Sequence, residues 1–102
     1  PYNMGKAALE ALAFTLAKEE RPNNIRVNVV APPLTDTDMG QRLAKARGVA
    51  QIHDLDAQAP FGHVCAPEDI ANVVRYLVSD QNSYVSGEKI SVHGGSDRAG
   101  FA

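Results

Sequence analysis

Two short runs rich in β-branched residues, IRVNVVA (25–31) and EKISVH (88–93), are separated by more than half of the 102-residue chain. A hairpin needs only a few residues between its strands, whereas a long helical connection makes a right-handed crossover between parallel strands. The near-continuous apolar character of Ile25 to Ala31 favours a strand covered on both faces, as in parallel sheets. Two strands alone make a poor parallel sheet. The expected fold class is therefore α/β, with two strands, about three helices and the rest of the sheet lying outside these residues.

Residues from Tyr2 to Lys18 read as one helix, since Ala, Leu, Lys and Glu dominate and Pro is absent. Leu9, Leu12, Phe14 and Leu16 make it apolar around much of its circumference, which predicts burial on more than one side. Pro22, Asn23 and Asn24 end it. After Pro32-Pro33 comes a stretch of weak apolar periodicity with one helix expected from Asp38 to Arg47, and mobility is expected there. The clearest second helix begins at Pro67, with Glu68 and Asp69 complementing its positive end and Ile70, Val73, Val74, Leu77 and Val78 forming its stripe.

Composition narrows the function. A net charge of −2 with mixed signs gives no basic face for nucleic acid or an anionic membrane. No apolar run approaches the ~20 residues of a membrane span. One cysteine, Cys65, excludes an internal disulfide framework and suits a reducing cytosol, so a cytoplasmic protein is expected. A helix that begins with the first residues, without an initiating Met, leads to the expectation that the chain is part of a larger protein.

Tyr2 and Lys6 stand one turn apart on one helix face. A phenol with a pKa of about 10 is a poor proton carrier at neutral pH, but a fixed ammonium favours the phenolate and lowers that pKa. Such a pair can move a proton to or from a carbonyl or alcohol oxygen. An exposed Tyr beside a solvated Lys is the alternative reading. Among other candidates, His53, His63 and His93 are spread out, and the His63-x-Cys65 pair lacks a second pair to complete a metal site, so no metal is expected. Asp54, Asp56, Glu68 and Asp69 read as loop and helix-start residues, and Tyr76 and Tyr84 as helix packing and loop anchoring.

Tyr-x-x-x-Lys at a helix start, then IRVNVVAPPLTDTDM, APEDIANVVRYLVSD and SYVSGEKISVHGG in order, resembles the short-chain dehydrogenase/reductase family over residues 2 to about 95. The resemblance implies the C-terminal part of a single Rossmann-type NAD(P)-binding domain with a doubly wound parallel sheet, its first half absent. Residues 1–19 would be the catalytic helix, 25–39 a strand and cofactor loop, 40–60 a substrate lid, and 67–95 a helix and the last strand. It further implies that Tyr2 is the acid–base residue and that Lys6 lowers its pKa and binds the nicotinamide ribose. Asn28 would be structural, Pro32 and Pro33 would border the nicotinamide ring, the Thr35 backbone would contact its carboxamide, and Thr37 would contact the amide or the pyrophosphate. The implied cofactor is NAD or NADP, the substrate a small alcohol or ketone, and the assembly a homo-oligomer. PFGHVCAPEDIA is similar to the oxoacyl-thioester reductase branch. Pro33 replaces a usual Gly, Thr35 a usual Ile or Val, and His93 a usual Asp. The family's Gly-rich phosphate turn and catalytic Ser would lie upstream, and Gly94-Gly95 opens no helix that could replace them, so these residues alone are expected to be inactive. A nucleotide-binding member without turnover and a stand-alone interaction module remain as alternatives.

Overall fold

A computed structural model describes residues 2–95, with side chains from Met4 onward. In chain order they form α1 (Tyr2–Glu19), a short 3-10 helix (Arg21–Asn23), β1 (Val29–Ala31), α2 (Asp38–Ala46), a second 3-10 helix (Ile52–Gln58), α3 (Pro67–Leu77) and β2 (Lys89–Ser91). The strands pair in a two-stranded parallel sheet, so the α/β class and the parallel crossover expected from the sequence hold. The described residues divide into two units, one drawn from 2–31 and 74–90, the other from 32–73 and 91–95.

In the first unit, α1 stops where Pro22 enters the 3-10 helix, and Asn24 closes the turn in the left-handed region at φ 60°. Asn is among the few non-glycine residues that tolerate this conformation. The strand expected over Ile25–Ala31 is shorter than predicted, β1 covering only Val29–Ala31, because side-chain links interrupt the ladder before it. The Arg26 guanidinium donates to the Leu77 carbonyl at 2.8 Å, and the Val27 N–H donates to Ser86 Oγ at 3.1 Å. The Asn28 amide donates to the Val85 carbonyl at 2.9 Å and accepts from the Glu88 N–H at 3.1 Å. Two backbone bonds run beside these links, from the Gly87 N–H to the Val27 carbonyl at 2.8 Å and from the Val29 N–H to the Glu88 carbonyl at 2.9 Å. The second strand is likewise confined to Lys89–Ser91 rather than 88–93.

Buried Asn82 organises the QNSYVSG loop. Its amide donates to the Leu77 and Val85 carbonyls, and its oxygen accepts from the Tyr84 and Val85 N–H groups. Tyr84 itself is 97% exposed and anchors nothing, contrary to expectation. The apolar positions of α1 are also more open than predicted, with Leu9 59% and Leu12 55% exposed while Ala17 is buried. Ala17 lies where Gly87 passes close, and Lys89 pairs with Glu10 at 3.0 Å, so one face of α1 meets the β2 approach.

In the second unit, the segment 40–60 is more regular than its weak periodicity predicted. Thr37 caps α2, accepting the Gly40 N–H at 3.1 Å. Gly40 is required there, since a Cβ at this position would collide with the Thr35 carbonyl. The Gln41 side chain donates to the Ala50 carbonyl and accepts from the Ile52 N–H, which brings Ile52 into the core beside α2. A reciprocal Gln51–Asp54 capping box then opens the second 3-10 helix. Polar side-chain bonds of this kind leave no periodic apolar trace. Among the described residues, no helix is long and apolar enough to cross a membrane.

Candidate active site

Tyr2 and Lys6 lie in the first unit, in the opening turns of α1, whose first turn carries no acidic residue. The Tyr2 side chain is outside the described part of the structure. Lys6 is exposed. The helix gives the pair the i, i+4 spacing of one face.

Pro32, Pro33, Thr35 and Thr37 lie in the second unit, and all four line one cavity of about 480 Å³. Met39, Leu43, Pro67 and Ile70 supply further apolar wall. Pro32-Pro33 stiffens the loop as it leaves β1 and offers no N–H at either position. The loop is held from beneath by an isolated parallel bridge between Thr35 and Cys65, in which the Asp36 N–H donates to the Cys65 carbonyl at 2.8 Å.

The two threonines are already engaged. Thr35 donates its hydroxyl to the Pro33 carbonyl at 2.8 Å. Thr37 accepts from Gly40 and donates to the Thr35 carbonyl at 3.4 Å. A hydroxyl has one proton and two lone pairs, so Thr37 keeps one lone pair and can accept from a carboxamide NH₂. The cavity is of ligand size and mostly apolar with a few polar groups at its rim. These residues fit the flat, amide-bearing nicotinamide ring.

A second cavity, of about 740 Å³, shares Pro33 and Leu34 with the first. Leu55, Phe61, His63 and Val92 contribute to its lining. One loop thus carries a cofactor-sized cavity on one side and a larger, mixed one on the other, all within the second unit.

The titratable groups around this loop are perturbed for identifiable reasons. Hydrogen bonding to Asp56 and the charge of Asp36 raise the pKa of His53 above its ordinary value. The Val64 N–H lowers that of Asp56, and the Ala66 N–H lowers that of Asp69, each helped by a histidine. Burial pushes the Cys65 thiol up, which argues against a nucleophile. Among the described residues, no three His, Cys, Asp or Glu side chains are arranged to hold a metal.

Three features escaped the sequence reading. The capping role of Thr37 was signalled by its place just before the helix start at Asp38. The apolar wall from α2 and α3 was signalled only as helix stripe. Of the carboxylates flanking His53, Asp56 stands three residues away along the same 3-10 helix, while Asp36 comes from a distant position and carried no local signal.

The family described as enoyl-(acyl carrier protein) reductase matches residues 1–97. The chain is 47% identical over 93 residues to a 3alpha-hydroxysteroid dehydrogenase of Mediterraneibacter gnavus, covering 91% of this chain and 36% of that protein. It is 42% identical over 94 residues to the 3-oxoacyl-[acyl-carrier-protein] reductase FabG of Aquifex aeolicus, covering 92% and 36%. Among solved structures, a short-chain dehydrogenase/reductase from Brucella melitensis superposes with a TM-score of 0.78 at 34% identity, covering 96% of this chain and 38% of that one. The NADPH-dependent reductase YwfH superposes with a TM-score of 0.80 at 26% identity, covering 94% and 39%. The chain thus spans little more than a third of the length of these relatives. With four ordered motifs, the parallel crossover and these matches in agreement, the chain belongs to the short-chain dehydrogenase/reductase family.

Proposed function

We propose that the full-length protein carrying these residues is an NAD(P)-dependent oxidoreductase acting on an alcohol/carbonyl pair, with Tyr2 and Lys6 as its proton-handling residues. The observation that carries this reading is the cavity at Pro32–Thr37. The four residues that the family pattern assigns to the cofactor line one ligand-sized space, and a lone pair on Thr37 remains for the nicotinamide amide. When bound, the nicotinamide supplies or accepts a hydride. Tyr2 gives its proton to the carbonyl oxygen in reduction and takes it from the alcohol in oxidation. Lys6, one turn on, makes that phenol acidic enough to work near neutral pH and holds the ribose. Pro33 and Leu34 carry the larger cavity on their other side, where an apolar carbonyl substrate has room. The FabG relatives and the PFGHVCAPEDIA segment favour a 3-oxoacyl-thioester-like substrate, and the NADPH-dependent neighbours favour NADPH.

These 102 residues contain no glycine-rich phosphate turn at the start of a helix. By themselves they bind no nicotinamide cofactor and turn over no substrate. Calorimetric titration with NADH and NADPH tests the binding. Saturable micromolar binding to the full-length protein, absent from residues 1–102 alone, is expected. No binding by the full-length protein would overturn the reading. A second reading, nucleotide binding without turnover, is favoured by Pro33, which removes an N–H where the loop meets the cofactor. A panel of ketones and alcohols separates the two. We further assign the protein to the cytoplasm as a homo-oligomer, on the single part-buried Cys65 and the open apolar face of α1.

A further inference from the structure

The second unit contains a closed ring of polar links that the family pattern does not assign. His53 Nε2 lies 2.8 Å from Asp36 Oδ2, and His53 Nδ1 lies 3.1 Å from Asp56 Oδ2. The other oxygen of Asp56 accepts the Val64 N–H at 2.8 Å. The neighbouring Cys65 carbonyl accepts the Asp36 N–H, also at 2.8 Å, which closes the circuit. Asp36 sits between Thr35 and Thr37, the two threonines lining the candidate nicotinamide cavity. His53 and Asp56 belong to the 3-10 helix Ile52–Gln58.

Both imidazole nitrogens face a carboxylate oxygen. Only the doubly protonated ring can donate to both, because a neutral imidazole has one N–H and turns a lone pair to the other carboxylate. The ring of links is therefore complete only while His53 is a cation. The charged groups facing the imidazole are Asp36 from the loop before α2 and Asp56 from its own helix, with His63 acting on Asp56 from the following loop.

We propose that His53, as its cation, is a positioning residue that fastens the Thr35–Thr37 loop to the 3-10 helix, so that loss of its proton loosens the loop and weakens nicotinamide cofactor binding. This rests on the cofactor reading above. The sign is fixed by the geometry: the folded pKa of His53 is raised, so the clamp is complete below the ordinary 6.5 and is lost as pH rises through the higher folded value.

The test uses the full-length protein and two readouts. First, NMR titration of the His53 ring, with amide protection factors at Asp36 and Val64, reads the clamp without cofactor. The His53 pKa is expected above 6.5, falling toward 6.5 in Asp36→Asn, with both protection factors dropping as the ring deprotonates. Second, NADH and NADPH are titrated across about pH 5 to 9. The dissociation constant for the cofactor that binds is expected to rise about two- to fivefold through the His53 pKa, as suits an exposed ion pair. His53→Gln should show the weaker, high-pH affinity throughout, and His53→Arg, a permanent cation with several donors, should keep the tighter one. A His53 pKa at or below 6.5, or protection that does not follow it, overturns the clamp. A raised pKa with a cofactor affinity that follows pH identically in His53→Gln overturns the positioning role. A raised pKa with no cofactor binding at any pH overturns the cofactor reading, and with it the positioning role built on that reading.

Discussion

Single polar side chains hold most of what is specific in this chain. Asn82 is 1% exposed and satisfies two carbonyls and two N–H groups, so Asn82→Ala strands buried backbone partners of the 82–87 loop. A loss of about 1–3 kcal/mol in chemical denaturation is expected, the range for orphaned buried polar groups; a loss within a few tenths would show that the loop does not depend on it. Asn28 spans β1 and the β2 approach with two bonds, and its loss should cost about 1–2 kcal/mol by the same measurement. At the head of α2, Thr37→Ala should cost about 1 kcal/mol and Thr37→Ser much less, since only the cap oxygen matters. The lowered pKa values of Asp56 and Asp69 have the opposite sign to that of His53. Their contribution is complete above the ordinary value of 3.8 and is lost as pH falls through the lowered folded values. Acid titration should therefore destabilise the wild type more steeply below pH 3.8 than a double Asp56→Asn, Asp69→Asn variant; matching curves would contradict this.

At the scale of elements, what was legible depended on which force builds each one. The stripes of α1 and α3 are written in apolar spacing and propensity, and both helices were read to within a few residues. The parallel relation of the strands followed from the length of the connection between them. Strand length was not legible. Ile25–Ala31 is rich in β-branched residues, yet side-chain links at Arg26, Val27 and Asn28 interrupt the ladder there. The same limit applies to 52–58, whose order comes from Gln41, Gln51 and Asp54 bonding to backbone. For the site, the sequence pattern supplied the residues Pro32, Pro33, Thr35 and Thr37, and the structure gathers them around one cavity. The α2 and α3 side chains that complete its wall look like any helix stripe until the elements are placed.

For the molecule as a whole, the exposed face of α1 and the two-stranded sheet decide how the chain behaves. Leu9 and Leu12 are more than half exposed, and one edge of each strand is unpaired among the described residues. Apolar surface left in water is unfavourable by about 25 cal/mol per Å², and unpaired strand edges template association. Light scattering on the 102-residue chain should therefore report self-association at micromolar concentration, and a cooperatively melting monomer would contradict that. The central claim is that Tyr2 handles the proton of a hydride-transfer reaction. The most direct measurement is steady-state turnover of the full-length protein with its preferred nicotinamide cofactor and a carbonyl substrate, in wild type and in Tyr2→Phe, beside cofactor affinity. Phe keeps the ring and removes the proton, so kcat should fall on the order of a hundredfold or more while the cofactor dissociation constant barely moves. A Tyr2→Phe turnover within a few-fold of wild type would contradict the claim.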